Sequence, residues 1–306
     1  MNALKVSVIV PFYNAEASIG RTLESIAVSS HEHIEVILID DCSSDRSGDI
    51  AAALLCKDGR FKCFRNAENR NVSFCRNRGI DAASGDFILF VDSDDRISPD
   101  WIRNLLNDAV ATGAEVVIGK TRRLEGGRER DYRMKGLGRC GSLRFETMVF
   151  KDNSVVWNKL YSSALIKREG IRFDEGLCIG EDLLFNFQAL GLARGIYYND
   201  KGYYCYQADN KFSIMRSSPP AKRISNLSRL LRILVERSMN MEKKNRGVLS
   251  KVSRDILMLH YRFKNEAIDR STMNAIREID CFMPFKVRFS LFRKSVRGAI
   301  FLQARA

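Results

Sequence analysis

The chain lacks any run of about 18 or more apolar residues, which excludes a membrane-spanning helix. Its first residues enter an apolar, β-branched run by Val6, without the basic, apolar and small-residue layout of a signal peptide, so a cytoplasmic location is expected. Eight cysteines are present, yet none has the two-residue spacing of a zinc knuckle or redox pair. Scattered singly, they read as reduced, mostly buried thiols. Three histidines (His31, His33 and His260) leave little for histidine-based chemistry; the first two alternate just before a strand and fit a solvated edge. There is no internal repeat, no low-complexity tract, and no acidic residue after Asp280.

What remains is an ordinary soluble composition of 306 residues, 45% hydrophobic and 28% charged, long enough to bury a core as one large domain or one with an appendage. The net charge of +13 calls for an anionic partner or serves solubility. A nucleoside diphosphate, an anionic membrane, an acidic glycan and nucleic acid all satisfy it.

Lys5 to Val10 reads as a buried strand stopped by Pro11, followed by a helix carrying Ile19, Leu23 and Ile26 behind Ser18 as N-cap. Ile34 to Ile39 and Phe87 to Val91 are apolar nearly throughout, as parallel strands covered on both faces should be. Phe61 to Phe64 and Val116 to Ile118 are shorter strands, and Ser73 to Ala83 is helical. Ser98-Pro99 supplies a cap and N1 proline for another helix. This alternation implies an α/β fold with an open, mostly parallel central sheet flanked by helices. Residues 120 to 142, rich in Arg, Glu and Gly, read as a mobile or inserted loop. Later come a helix over Glu181 to Leu190, aromatic strand-like runs at 196–198 and 203–206, and helical character from about Pro219 onward.

In open α/β sheets ligands bind beyond the carboxyl ends of the strands. Two strands here end in acids at that edge, in Asp40-Asp41 and in Asp92-Ser93-Asp94-Asp95. Loop acids often only form turns. Three carboxylates in four positions repel one another unless a cation offsets them, and Mg²⁺ or Mn²⁺ takes such oxygen ligands with substrate phosphates completing the shell.

At this point the chain resembles the family 2 glycosyltransferases, inverting enzymes of the GT-A (nucleotide-diphospho-sugar transferase) fold. The matching segments run in order: Val8 to Glu16, Ile39 to Asp45, Arg76 to Ile80 and Gly85 to Asp95, then more weakly Trp157 to Tyr161 and Gly180 to Phe185. The resemblance covers roughly residues 5 to 210 and implies a catalytic domain over 1–215. Its nucleotide half would span about 1–119 and its acceptor half about 120–215, with a basic helical region at 216–306. By the same likeness Pro11, Tyr13, Asp41, Arg76, Asp92 and Ser93 are expected to hold the nucleotide sugar. Asp92-Ser93-Asp94 matches the DxD motif, with Asp94 and Asp92 on a divalent metal (Mn²⁺ or Mg²⁺), and Asp182 matches the catalytic base. Read without the family, Glu181-Asp182 is better explained as a helix-start pair interacting with the dipole. Trp157, Lys159 and Glu181 are candidate acceptor or sugar contacts, although core packing accounts for Trp157 and the tyrosines of 203–206, and solvation for Lys159.

The chain also departs from the family pattern. Cys42 stands where Gly is common, Arg70-Asn71 where small residues precede the helix, Cys75 for Ala, and Gln207 where Arg often follows the aromatic strand. Past residue 282, Phe285, Phe289, Phe292, Val296 and Ile300 share one helical face among basic residues. That helix fits either an anionic membrane surface, placing the protein peripherally at the inner face of the plasma membrane, or packing on the catalytic domain. The expected function is transfer of a sugar, most often from a UDP-sugar, to a glycan or lipid-linked acceptor, as in surface polysaccharide or lipooligosaccharide synthesis. A nucleotidyltransferase-like enzyme is the alternative, disfavoured because no glycine-rich phosphate loop is present. A basic binder of membrane or nucleic acid leaves the acidic strand ends unexplained, so no nucleic-acid partner is expected.

Overall fold

The computed structural model describes residues 4–132, 140–145 and 154–209, with isolated helical positions between 226 and 234. The chain divides into two compact units, Met1–Ser217 and Ser218–Ala306. In the second, Leu230 and Leu234 are buried. The basic segment beyond residue 282 lies outside the described residues.

The first unit is built on a ten-stranded sheet. Its first half is parallel: β3 (Phe61–Arg65), β2 (Ile34–Asp40), β1 (Val6–Phe12) and β4 (Phe87–Phe90) lie side by side in that order. Every residue of β1 and β2 is buried, which is why both read as continuous apolar runs rather than alternating ones. The chain goes from β1 outward through β2 and β3, then returns to β4 on the other side of β1. This reversal leaves a crevice at the carboxyl ends of β1 and β4, the place where open α/β sheets bind ligands.

Helices α1 (Ile19–Ala27), α2 (Ser47–Leu55) and α3 (Val72–Ala82) make these connections. Helix α4 (Trp101–Thr112) begins two residues later than Ser98-Pro99 suggests, behind Asp100. Ser98 is not its cap: its hydroxyl accepts from the Tyr203 N–H at 2.9 Å and donates to Asp100 at 3.0 Å.

Beyond β4 the sheet is mixed. β9 (Lys159–Ser162) inserts antiparallel between β4 and β6 (Val116–Glu125), and β10 (Ile196–Gln207) runs parallel to β6. The short strands β5 (Arg96–Ile97) and β8 (Gly141–Leu143) pair antiparallel with β10. The two aromatic runs are one strand with an irregularity between Asn199 and Tyr204, where Gly202 adopts φ 68°.

The expected loop at 120–142 is in its first part a β-hairpin. β6 continues to Glu125, turns through Gly126 and Gly127 (φ 56° and 72°) and returns as β7 (Arg128–Tyr132). Two glycines at positive φ form the hairpin turn whose twist matches the strands. The apolar signal is missing because β7 is exposed throughout and the ribbon is held by cross-strand pairs such as Arg122–Glu129 and Lys120–Asp131. α5 (Ser163–Arg168) and α6 (Glu181–Leu192) complete the unit. The described cysteines are free thiols, but only Cys75 and Cys205 are buried, while Cys56 and Cys140 are exposed.

Candidate active site

The acids expected to act together converge from elements far apart in the chain. Asp92 follows β4, Arg76 projects from the middle of α3, and Glu181 and Asp182 open α6 behind Gly180, which takes φ 88°. The Arg76 guanidinium, buried to 4% exposure, joins them. One nitrogen donates to Asp182 Oδ1 at 2.6 Å, the other to Asp92 Oδ1 at 3.0 Å, and Glu181 lies 3.8 Å away. Phe173 lies beside the guanidinium, 5.2 Å from its ring centre.

Burial of Glu181 and Asp182 beside a single guanidinium leaves this pair under-compensated. Glu181 is pushed up to about 8, first by burial and then by the charge of Asp182. Burial also raises Asp182; Arg76 and Lys159 oppose the rise and Asp92 adds to it. Asp182 Oδ1 is engaged by Arg76, whereas Oδ2 has no hydrogen-bond partner among the described residues. A carboxylate with raised proton affinity and one open oxygen has the chemistry of a general base.

The loop after β4 is tied down on three sides. Arg76 holds the Asp92 carboxylate, Thr22 of α1 donates to the Ser93 carbonyl at 2.9 Å, and the Asp92 N–H donates to the Tyr204 hydroxyl at 3.1 Å. Asp92, Ser93 and Asp94 remain half-buried, while Asp95 is 1% exposed and turns away from the crevice. Asp95 accepts from the Tyr204 hydroxyl at 2.7 Å and the Gln207 N–H at 2.7 Å. Burial, followed by the charges of Asp94 and Asp92, pushes it well above the usual carboxylate range. Among the described residues, no cluster of three or more His, Cys, Asp or Glu is arranged to hold an ion unaided. Asp92 and Asp94 are a donor set of two hard carboxylates, which suits an ion that takes its remaining ligands from phosphate and water.

At the neighbouring strand ends, Pro11 is buried and Tyr13 stands 51% exposed. Asp41, 4% exposed, accepts from Asn66 Nδ2 at 2.7 Å and from the Arg70 and Asn71 N–H groups, both at 2.9 Å. It thereby folds the segment that leads into α3. Asp40 does no comparable work at the crevice, since its carboxylate pairs with Arg65 and accepts from the Ser43 N–H.

Two further positions lie in the interior. Trp157 is 5% exposed and stacks on Tyr204 and Tyr206, at 4.4 and 5.5 Å between ring centres. Lys159 is fully buried rather than solvated. Its ammonium donates to the Val155 carbonyl at 2.5 Å and Asn158 Oδ1 at 2.8 Å, and burial lowers it to about 7. Nothing in the sequence singles out Thr22, Asn66, Asp95 or Tyr204 as individual site residues. Only the density of acids in the 92–95 loop hints that its last member has a separate role.

The model of the glycosyl transferase family 2 matches residues 7–172. The chain belongs to this family. EpsH of Bacillus subtilis (strain 168) is 33% identical over 219 residues, covering 68% of this chain and 62% of EpsH. A GalNAc(5)-diNAcBac-PP-undecaprenol beta-1,3-glucosyltransferase of Campylobacter jejuni is 26% identical, covering 69% of this chain and 65% of that protein. The chain thus spans just under two thirds of each relative. Among solved structures, S. aureus TarS 1-349 in complex with UDP-GlcNAc superposes with a TM-score of 0.75 at 24% identity, covering 93% of this chain and 83% of that one. This family 2 chain therefore has the GT-A fold. No described helix is long and apolar enough to cross a membrane.

Proposed function

We propose that this family 2 chain is an inverting glycosyltransferase, moving a sugar from a nucleoside-diphosphate donor, with UDP-sugars the donor class, to a hydroxyl of a glycan or lipid-linked glycan. The observation that carries the reading is the single Arg76 guanidinium joining Asp92 and Asp182 at the carboxyl edge of a parallel sheet. Held this way, a donor-binding acid and a proton-accepting acid share one guanidinium. The UDP-GlcNAc seen with TarS and the undecaprenol-linked glycan in the name of the Campylobacter relative support the donor and acceptor classes.

In this reading Pro11, Tyr13 and Asp41 border the nucleoside, and Ser93 and Asp92 the ribose and diphosphate. Asp92 and Asp94 would hold a divalent ion, Mn²⁺ or Mg²⁺. Once bound, that ion supplies charge to stabilise the departing diphosphate. Arg76 adds a fixed cation on the same side and orients Asp182. Asp182 takes the acceptor hydroxyl's proton on Oδ2 as that oxygen attacks the anomeric carbon from the face opposite the nucleotide. Direct displacement of this kind inverts the configuration. Burial and the charge of Asp182 raise the proton affinity of Glu181, which lets it share a proton with the acceptor side of the site. The basic face beyond residue 282 would bring the enzyme to an anionic bilayer where lipid-linked acceptors lie. Co-sedimentation with anionic vesicles, with and without residues 282–306, tests that part.

The donor reading is tested by thermal shift with UDP, GDP, dTDP and ATP, each with and without Mn²⁺. One nucleoside diphosphate should stabilise the protein in a metal-dependent manner, and Asp94→Ala should abolish the metal dependence. Stabilisation of Asp94→Ala equal to wild type would remove the assignment.

A further inference from the structure

We propose that Tyr204 is a positioning residue for the acidic loop. Its hydroxyl fixes the Asp92 N–H, and with it the direction in which Asp92 and Asp94 face the donor diphosphate. The proposal rests on the reading of that loop as the donor clamp and adds what holds the clamp in place.

A tyrosine hydroxyl can accept one hydrogen bond while donating another. Here it does both, accepting from the Asp92 N–H at 3.1 Å and donating to Asp95 Oδ2 at 2.7 Å. It therefore links the first and last residues of the Asp92 to Asp95 turn, which also closes on itself through the Asp95 N–H to the Asp92 carbonyl at 3.1 Å. Asp95 is anchored independently to the same strand by the Gln207 N–H at 2.7 Å. β5, starting one residue after Asp95, pairs with β10 in a register that sets Tyr204 opposite Ile97. The loop is thus fastened to β10 at both ends and by backbone pairing just beyond.

The hydroxyl has no freedom to drift. Tyr204 is fully buried, with Trp157 stacked on its ring at 4.4 Å and Trp101 edge-on at 5.6 Å. This burial removes Tyr204 from the residues able to stack on a sugar. It also gives Trp157 a role, because the indole clamps the ring that carries the positioning hydroxyl. Asp95, the one acid of the loop that faces inward, is accounted for as the acceptor that orients this hydroxyl, rather than as a metal ligand.

Tyr204→Phe keeps the packed ring and removes only the hydroxyl. The affinities of UDP, GDP and dTDP are measured by calorimetry with and without Mn²⁺ for wild type, Tyr204→Phe and a control, Ser163→Ala. Ser163 donates a buried bond to the Gly85 carbonyl at 2.6 Å, near the amino end of β4, the opposite end from the acidic loop. For the nucleotide that wild type binds, Tyr204→Phe should lose tenfold or more of the gain that Mn²⁺ confers, with metal-free affinity within twofold of wild type. Amide exchange of the peptide containing 91–95 should quicken while β1 and β2 stay protected. Ser163→Ala should keep the full gain, which a general loss of stability would not allow. Asp95→Asn is the second variant, because its single amide oxygen can serve Gln207 or Tyr204 but not both; it should shift the metal gain in the same direction. A full Mn²⁺ gain in both Tyr204→Phe and Asp95→Asn overturns the proposal. Absence of any Mn²⁺ gain in wild type overturns the parent reading first, and this one with it.

Discussion

At Cys42 the backbone turns left-handed, with φ of 66°, at the carboxyl end of β2 where the nucleotide is proposed to sit. Side chains other than glycine pay about 1–2 kcal/mol for that conformation. Asn71 takes φ 76° and ψ 166°, a region close to glycine-only, held by Asp41 on its N–H and by its own side chain capping Phe74. Both departures from the family's small residues therefore mark strained turns around Asp41. Cys42→Gly relieves the strain but loosens the unfolded chain by about 0.4–1 kcal/mol, so a net gain between about 0 and 1.6 kcal/mol is expected in urea unfolding. Cys42→Val, β-branched in the same conformation, should lose about 1–2 kcal/mol. Equal stability of the two variants would show that the turn is not strained. The unusual residues are visible in the chain itself; the positive φ that explains them is not, because Cys carries no conformational signature of its own.

Among the elements, α3 has to sit unusually close to β1 for Arg76 to reach the crevice. Gly79 provides the approach: a Cβ there would come within 2.3 Å of Ile9 Cγ2, a fully buried atom of β1. Gly79→Ala gains about 1 kcal/mol of helix propensity, while overpacking costs about 1–3 kcal/mol. The net is a modest loss of stability together with a displaced Arg76. The melting temperature should fall by a few degrees, and donor hydrolysis should fall disproportionately; an active, more stable variant would contradict this packing. The parallel elements are legible in the sequence because strands buried on both faces, such as Ile34–Asp40, leave continuous apolar runs. The β6–β7 hairpin is not, since its exposed strands carry cross-strand ion pairs in place of apolar alternation. Nor is the insertion of β9 beside β4, since Leu89 and Leu160 meet across 71 residues of chain and no local pattern records such a pairing.

For the molecule as a whole, the two ends of the parallel sheet handle charge in opposite ways. At the amino end Glu35, 3% exposed, is fully satisfied. It accepts from Ser7 at 2.6 Å and from the Ser84 N–H and hydroxyl at 2.7 and 2.9 Å, and pairs with Lys5 and Lys62. Burial alone would raise it, but these donors bring it down from 4.5 to about 2. Its folded pKa lies below the unfolded value, so the associated stability, about 3 kcal/mol by linkage, is present above pH 4.5 and is lost as pH falls toward 2. Glu35→Gln should be less stable at pH 7 and show a flatter stability profile between pH 5 and 2 by chemical denaturation. A wild-type profile in that variant would refute the assignment. At the carboxyl end, by contrast, Asp182 and Glu181 are raised, which costs stability and suits proton transfer. The acid at each strand end can be read from the chain, whereas the Arg76–Asp182 pair, spanning 106 residues, belongs to the folded molecule alone. The proposed chemistry depends on that pair more than on any other contact. The most direct measurement is acceptor-free hydrolysis of the nucleotide sugar by wild type and Asp182→Asn, with donor affinity determined on the same samples. Donor affinity should stay within about threefold while hydrolysis slows by about 100-fold or more, the scale of a lost general base. Undiminished hydrolysis with intact donor binding would contradict the role given to Asp182.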